Sequence, residues 1–252
     1  MVPVKPNVPL RRNVPMKPNV RMKPKQHRRV LAIDIGGSHV KTRVFGRKEM
    51  RQFDSGPSLT PAEMVAKIHQ ITGDWLYDAV SIGYPGMVIH GKIIAEPHNL
   101  GTGWVGFDFR KAFARPTHVL NDAAMQAIGS YEGGRMLFLG LGTGLGSAMI
   151  VDGIVAPMEL AHLPFKKGRT YEDYVGERAM KRRGRKKWGD IVVKIVAQLS
   201  SVLEVDYVVI GGGNARKLKR LPANARLGSN DFAFVGGFRL WHDTGGRRIV
   251  IP

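Results

Sequence analysis

Two glycine-rich turns, each entered directly from an apolar strand, set the tightest limit on what this chain can fold into. The first is Asp34-Ile-Gly-Gly-Ser-His-Val-Lys41, reached from Val30-Leu-Ala-Ile-Asp-Ile35. The second is Gly140-Leu-Gly-Thr-Gly-Leu-Gly-Ser147, reached from an apolar run at 136–141. Glycine lets the backbone approach an anion and offer its N–H groups, so each turn has the makings of a phosphate cradle. Beside Gly36 and Gly37, Ser38 adds a hydroxyl and Lys41 a positive charge; beside Gly142 and Gly144, Thr143 and Ser147 add hydroxyls. Asp34 repels phosphate, and a magnesium ion held through water would explain its presence. Neither turn fits G-x-x-x-x-G-K-[ST], which excludes a Walker-type NTPase. A Rossmann dinucleotide site is disfavoured, because the glycines open hairpins and no suitably placed helix follows.

The elements around these turns alternate. Val40–Phe45 reads as the hairpin partner of Val30–Ile35. Thr60-Pro-Ala-Glu63 is a capping box with proline at the first helical position, so a helix should run to about Thr72. Further strands are expected at Ala79–Tyr84, Thr117–Leu120, Met136–Leu141, Ser147–Val151 and Val205–Ile210. Helices are expected at about Ala123–Tyr131, Tyr171–Arg182 and Trp188–Leu203. Strands alternating with helices indicate α/β architecture. A composition shift at Arg115-Pro116 suggests a hinge, dividing the folded part into 29–116 and 117–252.

Between the glycine turns sits Asn121-Asp122, directly after an apolar strand. A carboxylate where a strand passes into a helix is well fixed, and it could accept a hydroxyl proton during phosphoryl transfer. Its alternative reading is a helix cap, since Asp is a common N-cap. The loop Pro97-His-Asn-Leu-Gly-Thr-Gly-Trp104 offers several donors and an aromatic face, which suits a sugar. Glu159 and His162 have a spacing compatible with metal ligation, but no companion ligand is near in sequence, so a metal there is rejected.

Charge separates the ends of the chain. Lys and Arg number 39 against 20 Asp and Glu, a net +19. The first 29 residues hold four Lys, five Arg and no acid, with Val2-Pro-Val-Lys-Pro-Asn-Val8 repeated as Val14-Pro-Met-Lys-Pro-Asn-Val20. Proline at that density with no apolar period forms no packed core, so residues 1–28 read as a disordered basic tail. A second basic patch holds Arg178, Lys181, Arg182, Arg183, Arg185, Lys186 and Lys187. Such a chain fits an anionic partner: nucleic acid, acidic lipid or long polyphosphate. No apolar run reaches membrane-span length and no apolar signal core is present, so a soluble cytoplasmic protein is expected. The absence of cysteine excludes disulfides and thiolate zinc sites.

The order of four motifs carries a resemblance. Asp34-Ile-Gly-Gly-Ser, Asn121-Asp-Ala, Gly142-Thr-Gly-Leu-Gly-Ser and Ile210-Gly-Gly-Gly-Asn resemble the motif series of the ROK family of sugar kinases, within the hexokinase–actin superfamily. More narrowly, Asn99-Leu-Gly, Glu159-Leu-Ala-His-Leu, Tyr171-Glu-Asp-Tyr-Val-Gly-Glu-Arg178 and the basic run ending at Trp188 resemble bacterial polyphosphate glucokinases. The likeness spans roughly residues 29–240. It implies two actin-like (ribonuclease H-like) domains closing over glucose, with Asp122 taking the proton of the 6-hydroxyl. Asn99, Asn121, Glu159, His162 and Glu172 would bind the sugar. Asp34 would orient Mg2+, and Gly36, Gly37, Ser38, Lys41, Gly142, Thr143 and Gly144 would hold the phosphate donor. Gly211, Gly212 and Gly213 would line the adenosine side if ATP is used. Dimers are usual in the family, so a homodimer is expected.

Two departures from the family pattern stand out. The cysteine cluster that binds structural zinc in many members is missing, in keeping with a zinc-free polyphosphate branch. Ala161 stands where glycine is usual and restricts the backbone between Glu159 and His162. The expected activity is phosphoryl transfer from polyphosphate, and also ATP, to glucose, with the basic run as the track for a chain polyanion. The alternatives are an ATP-dependent kinase for mannose, fructose or an N-acetyl sugar, and a non-catalytic ROK-type regulator. Nucleic-acid binding is disfavoured, because residues 1–28 are too proline-rich for the helix-turn-helix of ROK repressors.

Overall fold

A computed structural model describes residues 28–242 and 249–251. The expectation of a disordered tail therefore lies, apart from Arg28, outside the described residues. The chain begins with β1 (Val30–Ile35), β2 (His39–Val44) and β3 (Met50–Asp54), then α1 (Pro61–Ile71) and β4 (Ala79–Tyr84). β1 and β4, mostly apolar apart from Asp34 and Ser81, lie buried in the interior of the sheet; β2 alternates, burying Val40, Thr42 and Val44. The capping box forms as expected: Glu63 N–H donates to Thr60 Oγ1 and the Thr60 N–H donates to Glu63 Oε2 at 2.9 Å. The small hairpin β5 (Val88–Ile89) and β6 (Lys92–Ile93), the short α2 (Phe109–Phe113) and β7 (Thr117–Asn121) follow.

The first sheet has the order β3-β2-β1-β4-β7. β1, β2 and β3 are antiparallel neighbours, and β4 and β7 add in parallel on the other side. By sheet membership the first half runs to Asn121, one strand beyond the expected division at 116/117. Pairing with β4 overrides the composition shift at Arg115-Pro116.

After α3 (Asp122–Ser130) come β8 (Arg135–Leu141), β9 (Leu145–Val151) and β10 (Ile154–Met158). The hairpin β11 (Pro164–Lys166) and β12 (Arg169–Thr170) leads to α4 (Glu172–Val175), α5 (Glu177–Arg183) and α6 (Arg185–Val202). β13 (Tyr207–Gly211), β14 (Ala225–Leu227) and α7 (Phe232–Arg239) complete the fold. The second sheet, β10-β9-β8-β13-β14, repeats the plan of the first: an antiparallel three-strand meander with two parallel strands added. Each glycine turn joins the first two strands of its own sheet, so the two turns are topological equivalents.

The single helix expected over Tyr171–Arg182 is two. Gly176 is extended (φ −66, ψ 168), and the chain restarts as α5 with Glu177 N–H donating to the carbonyls of Gly142 and Thr143. Gly184, at φ +76, then separates α5 from α6.

Helices α3 and α7 lie between the two sheets. α3 buries Ala123, Ala124, Ala127 and Ile128 with residues of β8, β9 and β13. α7 returns to the first sheet, where Ser81 Oγ donates to the Gly237 carbonyl at 2.7 Å. The two helices touch backbone to backbone through glycines. A Cβ on Gly129 would land on the Phe232 carbonyl, and one on Gly236 would land on the Met125 carbonyl. Arg239 closes the pair by donating to the Ile128 and Tyr131 carbonyls at 2.8 and 3.0 Å, at the C-terminal end of α3.

Gly129→Ala or Gly236→Ala should therefore destabilise the protein by about 2–3 kcal/mol despite alanine's better helix propensity. The unfolding midpoint should drop by about 4–10 °C. Gly73→Ala, where the added methyl meets only an ordinary contact, is the control for a calorimetric comparison.

Candidate active site

A cleft of about 430 Å³ opens between the two sheets, with both glycine turns on its wall. It brings together Gly36, Gly37, Asn99, Asn121, Asp122, Gly142, Thr143, Gly144, Glu159, His162, Glu172 and Gly212, gathered from distant parts of the sequence. Asp34, Ser38, Lys41, Gly211 and Gly213 are not on its lining, nor are the seven residues of the basic run at 178–187.

The first turn is closed by Gly36 N–H donating to the His39 carbonyl at 2.9 Å, and tied down by Ser55 Oγ on the Gly36 carbonyl at 2.7 Å. Gly37 packs on Asn99, where an added Cβ would sit 3.4 Å from that side chain. Asp34 and Lys41 face each other across the β1–β2 ladder. Burial pushes the Asp34 carboxyl up to about 6, with Lys41 pulling the other way.

At the other end of the first sheet, Asn121 rather than Asp122 caps α3. Its Oδ1 accepts from Ala124 N–H at 3.2 Å while its Nδ2 donates to the Gly86 carbonyl at 3.0 Å. Much of the hydrogen-bonding capacity expected to serve a sugar is thereby spent on holding the Pro85-Gly86 turn and the helix start. Asp122 becomes the first helical residue, with Oδ1 accepting from Ala123 N–H at 2.7 Å. Burial first, and then repulsion from Asp34 and Glu159, raises its carboxyl to about 7. The Ala123 N–H opposes that rise. The result is a carboxylate balanced between its two protonation states near neutral pH.

The second turn is braced from three sides. Glu172 Oε2 accepts from Leu145 N–H at 3.2 Å, leaving no room for a side chain at Gly144. Glu177 N–H meets the Gly142 and Thr143 carbonyls, and Asn214 Nδ2 donates to the Gly142 carbonyl at 3.0 Å. Gly212, at φ +82, lies so close to Leu141 that any Cβ would strike its backbone. Ser147 is no phosphate donor: it is buried, donates to the Met158 carbonyl and accepts from Leu160 N–H. That pairing sets the short 3₁₀ turn Leu160–His162, which carries Glu159 and His162 to the cleft. Their side chains stand 3.9 Å apart and are both substantially exposed.

Trp104 gives no aromatic face to a ligand. It is fully buried in the first core, tilted against Tyr84 at 5.5 Å and Phe109 at 6.2 Å. Glu96 fixes this loop, accepting from the N–H groups of Trp104 and Val105 at 3.1 Å, and itself reaches the cleft. A further lining residue escaped the sequence reading. Gln126 stands four residues after Asp122, on the same face of α3, and its Oε1 is buried with no partner among the described residues. The i,i+4 spacing from Asp122 was the available signal.

Comparison with known proteins places this architecture. A model of the ROK family matches residues 30–157. The chain belongs to the ROK family. A polyphosphate glucokinase of Mycobacterium tuberculosis is 24% identical over 214 residues, covering 75% of this chain and 79% of that protein. Among solved structures, an inorganic polyphosphate/ATP-glucomannokinase from Arthrobacter sp. strain KM superposes with a TM-score of 0.72. It is 22% identical and covers 84% of this chain and 97% of that one. A ROK family glucokinase from Streptomyces griseus, in complex with glucose and AMPPNP, gives a TM-score of 0.61 at 17% identity, covering 84% and 99%. The two sheets of this ROK chain, with helices between and outside them, therefore have the two-domain actin-like fold. No helix among the described residues is long and apolar enough to cross a membrane.

The raised carboxyls have a consequence for stability. Asp122 binds its proton more tightly folded than unfolded. Its stabilising contribution is full below about 3.8 and is lost as pH rises through about 7; Asp34 behaves likewise up to about 6. Asp122→Asn keeps an acceptor for Ala123 N–H and removes the buried charge. The variant should gain on the wild type by on the order of 1–3 kcal/mol between pH 5 and pH 8, read as diverging melting temperatures. A constant difference across that range would mean an unshifted carboxyl.

Proposed function

We propose that this ROK protein transfers a phosphoryl group from polyphosphate, and also from ATP, to the 6-hydroxyl of glucose, with Asp122 as general base. The observation that carries the reading is the Asp122 carboxyl itself, poised near neutrality in a cleft that both glycine turns line. The relatives named for polyphosphate and glucose support the choice of donor and acceptor.

The ionised Asp122 would accept the proton of the 6-hydroxyl as that oxygen attacks the terminal phosphorus. The bridging P–O bond breaks, and the shortened phosphate chain, or ADP, leaves with its electron pair. Glu159, His162 and Asn99 would hold the other sugar hydroxyls, aided by whatever capacity Asn121 and Glu172 retain. Backbone N–H groups at Gly37, Thr143 and Gly144 would receive the donor's phosphates, while those of Gly36 and Gly142, spent on the His39 and Gly144 carbonyls, shape the two turns. Lys41, the cross-strand partner of Asp34 behind the first turn, offsets part of that carboxylate's charge.

Asp34 would orient magnesium. A buried carboxylate with no full cage suits an ion that takes one or two carboxylates and the donor's own phosphates. Among the described residues no group of three or more ligating side chains occurs, so the donor would have to supply part of the coordination. When bound, the ion would neutralise charge on the phosphates.

Purified protein incubated with glucose and either polyphosphate or ATP should form glucose 6-phosphate; no product with either donor sinks the kinase reading. Mannose, fructose and N-acetyl sugars run in parallel set the acceptor range. With the preferred donor, kcat/KM should rise with pH to a plateau above about 7, because the base must be ionised. Asp122→Asn should bind glucose normally and lose at least about 10²-fold in kcat; retained turnover would remove Asp122 from its role.

A further inference from the structure

A second recess, of about 620 Å³, lies on the outer side of the second domain. Five cations line it: Lys166, Lys167, Arg169, Arg183 and Lys194. They come from the β11–β12 hairpin, α5 and α6, and no carboxylate is among the lining residues. We infer that this recess is the anchoring site for the distal units of a condensed-phosphate donor, outside the cleft in which its terminal phosphoryl group reacts. The inference rests on the reading that such a chain is the donor.

Four observations carry it. None of the five cations makes an ion pair among the described residues, whereas neighbouring Lys181 is paired with Glu177 and Arg220 with Asp190. Asp173 lies within electrostatic reach of Arg169, but it accepts from Thr170 N–H and Thr170 Oγ1 at 3.0 and 3.3 Å. Arg183 stacks its guanidinium on the Tyr174 ring, 4.6 Å from the centroid, and its Nε is buried without a partner. A buried charged donor left unmade is costly, and an incoming phosphate oxygen would relieve it. Finally, Tyr174 and Glu172 belong to the four-residue α4, with Tyr174 in the recess and Glu172 in the cleft. Two residues apart, these side chains leave opposite faces of one short helix, so the two sites are separated by the width of a helix, about 10 Å.

The chemistry selects a chain over a nucleotide. A nucleotide seated in the cleft spends its phosphates on the glycine turns, leaving nothing to neutralise five further cations. A condensed phosphate carries about one charge on every unit and continues beyond the transferred one. The expected track over 178–187 is redrawn accordingly: of its seven residues only Arg183 lines the recess, while Lys181 pairs with Glu177 and Arg182 donates to the Asp173 carbonyl at 3.2 Å.

The test uses the full chain carrying Lys166→Glu and Lys194→Glu, against a control with the same charge change on the first domain, Lys48→Glu and Lys92→Glu. Long-chain polyphosphate, tripolyphosphate and ATP serve as donors, and long-chain binding is titrated directly without glucose. In the recess variant the KM for the long chain should rise at least about 10-fold, and its Kd likewise, with a shallower salt dependence. The KM values for ATP, tripolyphosphate and glucose should stay within about twofold. Unchanged long-chain binding, an equal loss in the control, or an equal loss for tripolyphosphate would overturn the recess. Wild-type protein that binds the long chain through these lysines but draws no phosphate from it would sink the donor reading and leave the anchoring site standing. Wild-type protein that fails to bind the chain overturns both.

Discussion

The contact between α3 and α7 is the constraint on which the rest of the structure depends. Two sheets of the same plan must be joined by a layer thin enough to leave a cleft at one end, and glycines at 129 and 236 let the two backbones meet directly. Helix α3 carries Asp122 at its N-terminal end and has its C-terminal carbonyls held by Arg239 of α7. The position of the carboxylate is thus set by packing at the far end of the same helix. Larger side chains at the crossing would separate the helices and move Asp122 relative to both glycine turns. Close-packed interiors transmit such a change instead of absorbing it.

Electrostatics in the cleft run against the sign of the whole molecule. A net charge of +19 should favour ionised carboxylates, yet Asp122 and Asp34 both hold their protons more tightly than usual. The difference is one of range. Exposed cations more than about 8–10 Å away are screened by salt. Desolvation, and for Asp122 the repulsion from Asp34, act inside the protein, where salt screens them much less. The cationic surface is free to serve another purpose, and the recess beside α4 gathers five of its charges with no carboxylate in its lining.

The local signals in the sequence translated well. The capping box at Thr60, the hairpin after Gly36 and the strand leading to Asn121 all rest on contacts within a few residues. Errors arose where a residue's partner lies far along the chain. Trp104 looked like a ligand surface because it stands in a glycine-rich polar loop; in space Tyr84, twenty residues earlier, joins Phe109 in covering it. Ser147 resembled a phosphate donor until Met158 and Leu160 claimed its hydroxyl. Helix α7 was not among the expected elements; its Gly236 and Gly237 let it lie directly against α3 and the first sheet.

By itself the sequence determined the α/β class, the two glycine turns, the carboxylate between them and the family, because each is written in strand periodicity and in short motifs with local mechanics. Only the tertiary structure decided which of those residues share a cleft, and that Asn121 takes the cap and leaves Asp122 exposed to Asp34. It alone joined the lysines of the β11–β12 hairpin to Arg183 and Lys194. The physical reason is that burial, repulsion and unpaired charge are properties of neighbourhoods. The neighbours here come from strands and helices that meet only when the two sheets close around α3 and α7.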